Sequence, residues 1–196
     1  MGWNFGGVVI DFDFQTVIEE HLEPELRQFR TGAETPEEAR AKARIDAGTV
    51  AFQLLGVSAV AADAPVSFAE ATSVEFDDYA AGTIGDKTIL LGRPIGVEQC
   101  SADLVSAFRR MSGEHGSVLA FWLNDASGTR IFSVYRDGRR IRLRSSGPGV
   151  HDDEGPEISG EQEAGPSDRE IAVLEGFVGA PLATLWDLPM ERFIPA

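Results

Sequence analysis

A chain of 196 residues, 43% hydrophobic and 25% charged, has the composition of one folded domain of ordinary size rather than of a disordered segment. Its net charge of −15 disfavours nucleic acid and membrane, which attract cationic surfaces, and suits a basic macromolecular partner. The lone cysteine, Cys100, rules out an intramolecular disulfide. With no leader-like start at Met1-Gly2-Trp3-Asn4 and no apolar run of about 18 residues, a cytoplasmic protein is expected.

Residues 6–14 read as a first strand, with Val8, Ile10, Phe12 and Phe14 on one face and Val9, Asp11 and Asp13 on the other. A helical stretch interrupted near Pro24 follows, from Thr16 to Phe29. A second helix, at 36–55, starts with Thr35 as cap, Pro36 in the first turn and Glu38 closing a capping box. Its stripe is Ala39, Ala43, Ala47, Val50, Ala51 and Leu54. Short strands are expected at 66–69 and 73–76, and a firmer one from Thr88. Ser101 caps a helix at 101–112 whose stripe is Leu104, Phe108 and Met111, with Gly113 just past its end.

The strongest pattern is a three-stranded meander at 117–145. An apolar run from Ser117 to Leu123 turns at Asp125–Gly128 and returns over Thr129 to Arg136. Asp137-Gly138 then marks a two-residue hairpin, because both positions must tolerate positive φ. The third strand alternates Arg140, Arg142 and Arg144 with Ile141 and Leu143. Residues 147–166 turn polar and acidic and are expected to form a mobile loop. A last helix at 168–178 follows, with Ser167 and Glu170 as a capping box and Ile171, Leu174 and Val178 as its stripe. The apolar tail from Pro181 to Pro195 is expected to dock on the domain. Together these elements predict a single α+β domain over 1–196: a mainly antiparallel sheet around the meander, with helices packed on one face.

Chemistry is sparsely marked. Val8-Val9-Ile10-Asp11-Phe12-Asp13 resembles the opening motif of haloacid-dehalogenase-type phosphohydrolases. The resemblance implies Asp11 as nucleophile and Asp13 as acid/base, at the end of a parallel strand beside Mg²⁺. It covers about six residues. Phe14-Gln15 stands where that family has Gly-Thr, and Gly85-Asp86 lacks a further Asp four residues on. The bland alternative places both acids on the solvent face of an outer strand.

Gly82–Thr88 lacks the Gly-Lys-Thr order of a phosphate loop and reads as a turn. Arg136, Arg139, Arg140, Arg142 and Arg144 form a stripe that reads first as the wet face of an outer strand, balanced by acids at 152–163. Alternatively it holds an acidic partner or a phosphate, with Arg140, Arg142 and Arg144 as the binding residues. His21, His115 and His151 have no zinc spacing, and neither a metal nor a cofactor is expected. The leading expectation is a non-catalytic binding protein for a basic partner. The alternative is a Mg²⁺-dependent phosphohydrolase using Asp11 and Asp13.

Overall fold

The segments 5–10, 88–91 and 118–123 are apolar at both strand parities, so a sheet built around them needs cover on both sides. The structure, a computed structural model, describes residues 4–12, 14, 48, 51–52, 55–73, 75–92, 95, 101–149, 151–162, 165 and 169–196. Among them, β1 (Asn4–Ile10) is buried at every position from Phe5 onward. It lies mid-sheet between β5 (Lys87–Leu91) and β6 (Val118–Asn124).

The other described strands are β2 (Ala59–Ala61), β3 (Val66–Ser67), β4 (Tyr79–Ile84), β7 (Thr129–Arg136), β8 (Arg139–Ser146), β9 (Asp153–Glu154) and β10 (Pro189–Pro195). They make one large sheet in the order β2-β10-β4-β5-β1-β6-β7-β8-β9, with β3 also on β10. Every described pairing is antiparallel. Asp137 (φ 51°) and Gly138 (φ 73°) make the β7–β8 turn in the left-handed region that the hairpin signal requires.

The fold corrects the α+β expectation of helices gathered on one face. Among the described residues the chain is mostly one β-sheet, and three short α-helices are described end to end: α1 (Phe68–Ala71), α2 (Ala102–Glu114) and α3 (Arg169–Val178). These are divided between the two faces. Leu104, Ala107, Phe108 and Met111 of α2 pack with Val8, Ile10, Leu90, Val118, Ala120 and Tyr135. Val173, Leu174 and Val178 of α3 pack with Val9, Ile89, Leu119, Phe121, Phe132 and Val134 on the opposite side. Adjacent residues of β1, Val8 and Val9, thus serve separate cores, which is the period of a strand covered on both faces.

The predicted helix at 16–29 lies outside the described residues, as does most of the one at 36–55. Its Ala51 and Phe52 are described, and they are buried on the α2 face. Ser101 caps α2 as expected, accepting from the Leu104 N–H at 3.3 Å. The helix runs on through Gly113 to Glu114. The expected strand at 66–69 is only β3, because Ser67 and Glu70 form a capping box that starts α1. No strand forms among the described residues of 73–76. The tail contributes β10, inserted between β2 and β4.

Both ends of the described sheet resist further pairing. β2 has three residues and leads into Asp63-Ala64-Pro65, while β9 has two residues, both acidic and exposed.

Candidate functional site

The arginines of β8 do not share one face. Val134 pairs with Arg142, but the next residue, Tyr135, pairs with Arg140, which leaves Ile141 as the extra residue of a bulge. Residues opposite each other in a sheet share a face. Arg142 therefore lies on the α3 side with Val134, and Arg140 on the α2 side with Tyr135, where it borders Ser101, Val105 and Arg109. The bulge also sends Ile141 to the α3 side, where it packs on that core.

Arg142 is the largest fully buried side chain among the described residues. Residues 151–162 form an acidic strap along β8 and supply its partners. Glu161, also fully buried, accepts from Arg142 Nε at 2.8 Å and from Nη2 at 2.6 Å, a two-pronged pairing. Nη1 reaches Asp153 Oδ1 at 2.5 Å and the carbonyls of Glu154 and Gly155 at 3.1 and 2.9 Å.

The neighbouring groups extend the network. Arg144 donates to Glu170 at 3.2 Å and to Asp153 at 3.1 Å, and Arg140 donates to Glu154 at 2.9 Å. Glu170 is buried, accepting from Arg144 and Ser146; Ser167, its predicted partner in a capping box, lies outside the described residues. The Arg142 hydrogen bond holds the Asp153 carboxyl below the usual range, against a smaller opposing effect of burial. Arg142 is held charged more firmly than an ordinary arginine, chiefly by its hydrogen bonds to Glu161. The stripe is thus occupied from within the chain.

Asp11 lies just beyond β1, in contact with Lys87 Nζ at 2.5 Å, with its side chain 43% exposed. That hydrogen bond raises the Lys87 pKa. Thr88 Oγ1 donates to the Phe12 carbonyl at 2.9 Å and accepts from the Phe14 N–H at 3.4 Å, fixing the chain after β1. Because β1 is antiparallel to both neighbours, Asp11 does not stand at the end of a parallel strand, which is what the phosphohydrolase resemblance implies. β1 is equally not an outer strand. Asp13 lies outside the described residues, as do Cys100 and His21. His115 stacks beside Phe12 and Phe14, and His151 is exposed. No group of three His, Cys, Asp or Glu side chains able to hold a metal occurs among the described residues. Gly82–Thr88 forms the β4–β5 hairpin, with Gly85-Asp86 at its turn.

A second acidic region differs from the strap in having few cations. Residues 45–86 contain no Lys or Arg. Asp63, Glu70, Glu75 and Asp77 are exposed there, and Asp187 is exposed on the adjoining segment, which bonds to α1 through Phe68 N–Leu188 O and Ala69 N–Trp186 O. Bonds from Ser67, led by its backbone N–H, lower the Glu70 pKa and keep it ionised. Asp78 is paired with Arg192. Beside this region, Val60 and Ile194 are cross-strand partners and, among the described residues, the exposed large hydrophobics, at 54% and 43%.

No protein family, curated protein or solved structure matches this chain. Among the described residues no helix is long and apolar enough to cross a membrane.

Proposed function

We propose that this is a non-catalytic binding protein that engages a basic macromolecular partner through the acidic surface at 63–78 and Asp187. One observation carries this reading: the two acidic segments stand in different surroundings. Asp153, Glu154 and Glu161 of the strap are spent on Arg140, Arg142 and Arg144, whereas the carboxylates at 63, 70, 75 and 187 lie at the surface of stretches free of Lys and Arg. Val60 and Ile194 add an apolar spot next to them, the mixture that gives a charged encounter some buried area. A cytoplasmic setting accords with the lone cysteine.

The test is binding of a labelled Lys/Arg-rich peptide, followed by anisotropy over a salt series. Affinity should fall as salt rises. It should also fall in a D63N/E70Q/E75Q/D77N variant and persist in a variant neutralised at Asp125 and Glu114 instead. Equal binding by the wild type and the first variant sinks the proposal.

Mg²⁺-dependent phosphoryl hydrolysis at Asp11, with Asp13 as acid/base, is the second reading. The observation in its favour is the Lys87 ammonium on the Asp11 carboxylate, a cation placed where a phosphoryl group would need one. Mg²⁺-dependent turnover of a generic phosphate ester that disappears in Asp11→Asn, with the fold intact, would establish it.

A further inference from the structure

The β8 bulge and the strap enclose an apolar cleft against α3. Its floor is Val134 and Val173, both buried. Its walls are Ile141, delivered by the bulge, Ile158 from the strap and Phe177 from α3, all half-buried. The volume is about 370 Å³, within the range of roughly 300–1,000 Å³ usual for small-molecule sites.

Two features mark where the space opens. Gly176, which lines the cleft from α3, is exposed and a Cβ built on it would meet no atom within 4 Å, so the cleft opens to solvent there. At the mouth stands Arg136, exposed, whose Nε donates to Ser117 Oγ at 3.2 Å and which has no carboxylate partner among the described residues. Arg142 and Arg144, by contrast, are both paired with acids.

We propose that this cleft is a binding site for a small amphiphilic anion, an apolar chain carrying one carboxylate. The chain lies on Val134, Ile141, Ile158 and Phe177, and the carboxylate meets the Arg136 guanidinium, which suits that group in shape and charge. The strap is a wall of the site. Ile158 is held in place through its own N–H, which donates to Glu161 Oε2 at 2.9 Å, and Glu161 is anchored by Arg142. Arg142 and Glu161 are therefore positioning residues for the cleft. This inference is independent of the acidic surface at 63–78.

The experiment uses octanoate as probe on the full chain, titrated by amide NMR. Saturable binding should appear, with shifts confined to β7, β8, 158–159 and α3. Arg136→Gln should weaken it about tenfold or more, the scale of a charged hydrogen bond. Phe177→Ala should weaken it as well by removing an apolar wall, and it leaves the helix intact because alanine favours helix. 1-Octanol should bind more weakly than octanoate. Absence of saturable binding overturns the proposal, and so does binding that is unaltered in both variants. Equal affinity for octanol and octanoate overturns the assignment of the anion to Arg136.

Discussion

Glu161→Ala strikes the most buried charge in the described fold. It removes two of the five hydrogen bonds made by the Arg142 guanidinium, those of Nε and Nη2, and leaves the three of Nη1 to Asp153, Glu154 and Gly155. It also strips the acceptor from the Ile158 N–H. Breaking a buried ion pair by deleting one partner costs about 3–5 kcal/mol, because the remaining charge stays desolvated. Asp153 remains as a counter-charge, which places this variant at the lower end, about 3 kcal/mol. For a domain of this length each kcal/mol shifts Tm by about 2–4 °C, so the expected fall is about 6–12 °C. Thermal and urea unfolding by circular dichroism measure it. The paired variant Arg142→Met/Glu161→Leu should lose less than Glu161→Ala, because it leaves no buried guanidinium behind and keeps the volume, while the Ile158 N–H stays without its acceptor. A loss below about 1 kcal/mol for Glu161→Ala, the size of an exposed ion pair, would refute the claim that this is a buried, mutually dependent pair.

Three further outcomes follow from the same contacts. The carboxyl of Asp153 is depressed by Arg142, so its stabilising contribution is present above its ordinary pKa and lost as pH falls through the lower folded value. The Tm difference between wild type and Asp153→Asn should therefore be steady near neutrality and close below about pH 4. A difference that instead grows in acid would contradict this sign. Gly155→Ala should destabilise by more than about 1 kcal/mol, since Gly155 sits at φ 84° and its Cβ would fall 2.2 Å from the Ile141 carbonyl; Gly128→Ala, at φ 66° with open space, should lose less in the same urea assay. Phe108→Ala should cost about 3–5 kcal/mol, because Phe108 is fully buried between α2 and Tyr135, and a loss comparable to that of an exposed residue would place α2 off the sheet.

The sequence by itself determined the elements whose causes are local. The β7–β8 turn follows from Asp137-Gly138 because few residues accept the left-handed backbone, and the start of α2 follows from the hydroxyl of Ser101. The meander follows from runs that alternate or stay apolar over strand length. The segments 66–69 and 189–195 were less legible: a Ser67–Glu70 capping box overrides a short apolar run, and a strand at the end of the chain is decided by which edge it meets.

Only the tertiary structure decided which face each helix covers. Apolar residues at both parities of β1 demand two covers without saying which helix supplies either. The candidate site shows the same division. Arg140, Arg142 and Arg144 are visible as a stripe, but a single bulge residue sends them to different faces, and nothing in the spacing of the arginines announces it. Acidic residues at 152–161 are visible as a cluster. Yet Glu161 becomes the buried partner and Glu154 a surface one, because burial depends on how the strap lies along β8. Local backbone chemistry and side-chain period are written in neighbouring residues, whereas pairing across the sheet depends on contacts between residues far apart in the chain, which no short pattern encodes.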